Sequence, residues 1–124
     1  MPTEADELRS RVKQFAIRII KFIRTLPPDL ATESIARQLA RSGPSISANY
    51  HSSGRARSRA EFIARLGIVA DEADESEHWL GVLRQAGLAA GPELEWLLNE
   101  SRELRAIFVK SVSTARSNHR KSKR

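Results

Sequence analysis

The chain has 124 residues and a formal net charge of +6; 40% of it is hydrophobic, 29% charged and 6% aromatic. This length suits one domain with a real core, and the absence of cysteine excludes disulfides and thiol chemistry. No apolar run approaches the roughly 20 residues of a membrane helix, and the acidic start Met1-Pro2-Thr3-Glu4-Ala5-Asp6-Glu7 lacks signal-peptide features, so a cytoplasmic protein with no membrane contact is expected.

Helical periodicity first appears from about Asp6 to Leu26. Leu8, Val12, Phe15, Ala16, Ile19, Phe22, Ile23 and Leu26 recur at three- and four-residue spacing, the signature of a one-sided helix. Asp6 and Glu7 suit the positive end of its dipole, and Pro27-Pro28 stops it. A second helix is predicted from Thr32, read as the N-cap, to Ser53. Its stripe is Ile35, Leu39, Ile46, Asn49 and Tyr50, with small neighbours that allow close approach. Pro44 cannot donate to the carbonyl of Ala40, so a kink or short break is expected at Gly43-Pro44.

The third helix is predicted from Ser58 to Gln85, with Phe62, Ile63, Leu66, Val69, Ala70, Ala73, Leu80 and Leu83 inward. Ser58 and Glu61 have capping-box spacing, and Gly87 is a C-terminal stop. The fourth runs from Pro92, suited to a first helical turn, to Ala115. No segment reads as a strand. Helices of this length joined by short connections imply an all-α, antiparallel up-and-down four-helix bundle over residues 1–115. Residues 116–124 lose the apolar pattern and read as a disordered basic tail.

That tail carries Arg116, Arg120, Lys121, Lys123 and Arg124 and no acid; the other 16 of the 21 basic residues face 15 acidic ones. The net charge thus sits mostly on the tail. A second basic cluster, Arg55-Ala56-Arg57-Ser58-Arg59, precedes the third helix. Such residues neutralise phosphates and release counterions, a sequence-independent affinity. The interleaved aromatics of a base-stacking strip are missing. The competing reading is a solubilising tail with ordinary surface arginines.

Some apolar residues fall outside the inner stripes: Ile17, Ile20, Trp79, Trp96 and Ile107. Apolar surface of this kind marks interfaces, and tryptophan is favoured at binding hot spots, so these five are candidates for a homo-oligomer interface. Alternatively, both tryptophans only cover the edges of the bundle.

Candidates for chemistry are sparse. Glu75-Ser76-Glu77-His78 holds one E-x-x-H, whereas a di-iron bundle needs two plus further inward glutamates. The run Asp71, Glu72, Asp74, Glu75 and Glu77 reads as a solvated face, or as partners for arginines of a neighbouring helix or subunit. His51, His78 and His119 lack a nucleophile constellation. No catalytic residue, metal or cofactor is expected.

The stretch from Ser58 to Leu88 carries a wider pattern: Ser58, Glu61-Phe62, Leu66-x-Ile68, Glu72-Ala73, Glu75 and Trp79-Leu80. Upstream stand Leu26-Pro27, then Gln38-Leu39-x-Arg41-Ser42 and Ser45-Ile46-x-x-Asn49. Together these resemble the four-helix bundle proteins encoded by intervening sequences within 23S ribosomal RNA genes. Gly43-Pro44 and Tyr50-His51-Ser52-Ser53 depart from the family's second helix. The resemblance implies a ring-like homopentamer without enzyme activity. A more distant resemblance, to the accessory proteins of diversity-generating retroelements, implies RNA and a reverse transcriptase as partners. The expectation is therefore a homo-oligomeric scaffold binding RNA or DNA, with a purely protein–protein scaffold as the alternative.

Overall fold

The computed structural model describes residues 1–123. It contains four helices: α1 (Glu4–Ile23), α2 (Leu30–Ser53), α3 (Arg59–Gln85) and α4 (Pro92–Ser122). There is no strand among the described residues. Consecutive helices pack on each other, and α1 meets α4 along a narrower seam. All four contribute to one core, with Phe15, Ile19, Leu39, Ile46, Leu80, Leu98 and Phe108 fully buried.

Local chemistry sets most of the helix ends. Thr3 caps α1 in a reciprocal capping box with Asp6, so the helix starts at Glu4, two residues before the expected start at Asp6. It ends at Ile23 rather than Leu26, because the chain tightens there: Thr25 N–H donates to the carbonyl of Phe22, and Leu26 N–H to that of Ile23. Asp29, not Thr32, caps α2; its carboxylate accepts from the Thr32 amide at 3.0 Å and the Thr32 hydroxyl at 2.9 Å. An ionised acceptor makes the stronger cap. Ser58 caps α3 through the Glu61 amide, but the Glu61 carboxylate reaches the Arg57 amide instead of closing the box on Ser58. At the far end, Gly87 adopts φ +71°. Leu88 N–H then donates to Leu83 and Gly87 N–H to Arg84, the pairing of a Schellman motif.

Two expectations need correction. First, α2 is not broken at Gly43-Pro44; one helix runs from Leu30 through Pro44 to Ser53. A Cβ on Gly43 would lie 2.9 Å from Ile19 Cγ2, so only glycine lets α1 come so near. The adjacent Ser42 hydroxyl bonds the Ser76 hydroxyl of α3 at 2.8 Å in the buried interior. Tertiary contacts of this kind routinely override a weak local propensity. Second, residues 116–122 are not a disordered tail but the last two turns of α4. Arginine and lysine are good helix formers, extending an existing helix avoids the cost of nucleation, and His119, Arg120 and Lys121 sit at the negative end of the dipole.

Candidate nucleic-acid interface

Ion pairing divides the basic residues into two sets. Along the body of the fold, six arginines are held by carboxylates of neighbouring helices, and Arg9 and Arg37 by carboxylates of their own. Arg11 on α1 grips Glu100 on α4 with two bonds of 2.8 Å and also meets Glu103. Arg18 pairs with Glu93 at 2.5 Å, and its guanidinium lies 3.4 Å from the centre of the Trp96 ring. Arg41 on α2 reaches Glu72 and Glu75 on α3. Arg102 and Arg105 on α4 converge on Glu77, and Arg84 pairs with Glu95 at 2.7 Å.

These contacts account for most of the acidic run on α3. Glu72, Glu75 and Glu77 are clasps between helices, with Asp74 at 3.7 Å from Arg105. Hydrogen bonds from Arg41 hold the Glu75 carboxyl below its ordinary range, and Glu75 in turn helps raise Arg41. The E-x-x-H residues are engaged in the same way: Glu75 with Arg41, and His78 edge-on to Trp79 with ring centres 4.8 Å apart. No group of three or more metal-ligating side chains exists among the described residues.

The second set has no carboxylate within ion-pairing distance among the described residues. It comprises Lys13, Lys21, Arg24 and Arg65, spread over α1, its C-terminal turn and α3, and Arg55, Arg57, Arg59, Lys110, Arg116, Arg120, Lys121 and Lys123, and the last eight concern the site. Their positions are related. A cavity of 570 Å³ is lined by Glu4 from the start of α1, Tyr50 from the end of α2, Arg59 from the start of α3, and Lys110 and Asn118 from the second half of α4. One end of the fold therefore gathers the turn carrying Arg55 and Arg57 with the basic final turns of α4. Arg116 and Arg120 lie around the side of α4, in a groove shared with Gly67, Val109 and Asp71 of the α3–α4 face. Lys121 and Lys123 are exposed. Arg124 lies outside the described residues. Lys110 escaped the sequence reading because it stands alone in the chain; only the fold sets it beside Arg59.

The five candidate interface residues do not form one patch. Ile17 and Ile20 are exposed on α1, at 38% and 45%. Trp96 is half-buried under Arg18. Trp79 packs on the core with its ring N–H buried and lacking a well-formed hydrogen bond, although it leans on Glu75 enough to help lower that carboxyl. Ile107 lines the cavity at the basic end. Leu30, Ile68 and Val109 are further exposed apolar side chains, missed because Ile68 and Val109 sit beside core positions and Leu30 beside the Asp29 cap.

Residues 6–110 match the family model described as 23S rRNA-intervening sequence protein. The chain belongs to that family. A solved structure from Bacteroides thetaiotaomicron, described as a protein of unknown function from the S23 ribosomal protein family, is 29% identical, with a TM-score of 0.77 over 90% of this chain and 99% of that one. No curated protein matches. The matched region covers the clasped body of the fold and stops at Lys110, so the basic final turns of α4 extend past what the family model describes. No helix is long and apolar enough to cross a membrane.

Proposed function

We propose that the protein is a non-enzymatic, homo-oligomeric scaffold that binds RNA or DNA through the basic end of an antiparallel up-and-down bundle. The observation that carries this reading is the segregation of charge. Arg11, Arg18, Arg41, Arg84, Arg102 and Arg105 are committed to interhelical carboxylates, while Arg55, Arg57, Arg59, Lys110, Arg116, Arg120, Lys121 and Lys123, most of the described lysines and arginines without a carboxylate partner, lie toward one end; Lys13, Lys21, Arg24 and Arg65 are the others. Free cations retain a counterion-release contribution on meeting phosphate; cations already paired do not. The antiparallel course is supported by pairings that run in opposite directions along the chain: Arg11 with Glu100 but Arg18 with Glu93, and Glu77 with Arg102 but Arg84 with Glu95.

The ring-like homopentamer follows from the family resemblance and is supported by exposed Ile17 and Ile20. Several basic ends in one assembly turn weak phosphate contacts into useful avidity. The reverse transcriptase partner rests on the more distant resemblance alone. The alternative, a protein–protein scaffold, is favoured by one feature: the exposed apolar side chains of Leu30, Ile68 and Val109, which a protein partner would cover.

Deletion of residues 116–124 tests the leading reading. The truncated protein, at unchanged oligomeric mass, is expected to lose most of its retention of an RNA oligonucleotide at low salt. Undiminished retention would remove these turns from the interface.

A further inference from the structure

The cavity at the basic end contains what the linear sequence lacks. Its floor is aromatic and comes from three different helices. Tyr50 of α2 meets Phe108 of α4 edge to face, with ring centres 5.2 Å apart, and Phe62 of α3 closes the side. Around this floor stand polar groups that make no hydrogen bond to any of the described residues. The Tyr50 hydroxyl, the Thr114 hydroxyl and the Asn118 amide are all uncommitted, as are the cations of Arg59 and Lys110. Glu4 is the one carboxylate on the rim. Arg59 and Phe62 also line the neighbouring 360 Å³ depression over the α2–α3 turn, so the aromatic floor opens directly onto the Arg55–Arg59 cluster. Burial raises the Tyr50 hydroxyl above its ordinary pKa, so at neutral pH it remains a neutral donor.

A concave, largely apolar site with a few convergent polar groups is a small-ligand site in form. Its position selects the ligand. Any nucleic acid held by the surrounding cations presents bases within reach of the cavity, and every base has a face that stacks on aromatic rings. We propose that the cavity receives one unpaired nucleobase of a single-stranded RNA or DNA. Tyr50 and Phe62 provide the stacking surface, Thr114 and Asn118 hydrogen-bond the edge of the base, and Arg59 and Lys110 hold the flanking phosphates. The inference rests on the nucleic-acid reading above and refines it: the protein distinguishes single strands from duplexes, whose bases are stacked inside and cannot enter.

The test compares a single-stranded oligonucleotide with a duplex of the same length, at one salt concentration, on the full chain and on Thr114→Trp. Thr114 is exposed and lines the cavity, so a bulky side chain there narrows the cavity without removing a core side chain. Loss of one stacked base weakens binding at least about fivefold. Thr114→Trp is expected to lower single-strand affinity by that factor and leave duplex affinity unchanged. Tyr50 is the only tyrosine, so its ring resonances give a second, independent readout. They are expected to shift on adding the single strand and stay in place with the duplex. Unchanged single-strand affinity in Thr114→Trp, with a silent Tyr50, overturns the base pocket while leaving the electrostatic interface standing. If the native protein binds neither nucleic acid at low salt, the interface itself fails and the pocket with it.

Discussion

Replacing Gly43 by alanine sets two effects of opposite sign against each other. In an open helix the change stabilises by about 1 kcal/mol, the difference in helix propensity. Here the new methyl would stand 2.9 Å from Cγ2 of Ile19 and 3.1 Å from both its Cβ and its Cγ1. Ile19 is fully buried and, being branched at Cβ, has one strongly preferred rotamer in a helix. It cannot swing aside, so α1 and α2 must part. Overpacking a core costs about 1–3 kcal/mol. The net is a destabilisation of about 1 kcal/mol, or about 4 °C in Tm for a chain of this size. Urea unfolding followed by circular dichroism, at fixed protein concentration, measures it. A cycle with Ile19→Ala isolates the contact: in that background the clash with both γ carbons is gone, and Gly43→Ala should be neutral or stabilising. If Gly43→Ala stabilises the native protein by the full propensity gain, the close approach of α1 and α2 is refuted.

Three further outcomes follow from the same geometry. Arg11→Met strands the Glu100 carboxylate, whose side chain is 9% exposed, and is expected to cost about 2–3 kcal/mol, below the fully buried case because Arg11 is partly solvated; Arg11→Met with Glu100→Leu should recover most of the loss in the same urea assay. The Glu75 carboxyl is lowered chiefly by hydrogen bonds from Arg41, so its contribution is present above its unfolded pKa and disappears as pH falls through the folded value, below 4.5. Unfolding midpoints taken between pH 3 and 6 should fall less steeply with acid in Arg41→Gln. Ile17→Glu with Ile20→Glu should shift sedimentation toward monomer while helicity stays constant; an unchanged mass would take the exposed face of α1 out of the oligomer interface.

Much of the fold was legible because each helix carries its own instructions. The apolar stripes of α1 and α3 reappear almost residue for residue in the core, and Ser58, Gly87 and Pro92 mark the ends where their chemistry requires. The errors arose where information is not local. Asp29 and Thr32 are both good caps, and the choice depends on which acceptor the turned chain presents. Pro44 reads as a break in isolation, yet α2 runs through it, with Gly43 seated on Ile19 and Ser42 bonded to Ser76. Residues 116–122 have no apolar stripe, yet they extend a helix nucleated by the core ahead of them.

The candidate site divides along the same line. The basic clusters at 55–59 and 116–124 were visible as runs, because each is contiguous. Their relation to Lys110, and the meeting of Tyr50, Phe62 and Phe108, were invisible, since the partners come from separate helices. The acidic run of α3 read either as a solvated face or as partners for arginines of a neighbouring helix or subunit, and the choice was not local because the arginines that clasp it, Arg41, Arg102 and Arg105, lie about 25 or more residues away in sequence.

The central claim is that free cations at one end of the bundle hold phosphate. Its most direct test is the salt dependence of binding to a single-stranded RNA, compared between the native protein and a variant with Arg116, Arg120, Lys121 and Lys123 all changed to glutamine, which preserves helix propensity. Each phosphate contact contributes about 0.7 to the slope of log affinity against log salt for a single strand. Loss of four contacts should flatten the slope by roughly 3, with the circular dichroism spectrum and oligomeric mass unchanged. An identical slope in the two proteins, or no binding by either at low salt, would contradict the claim.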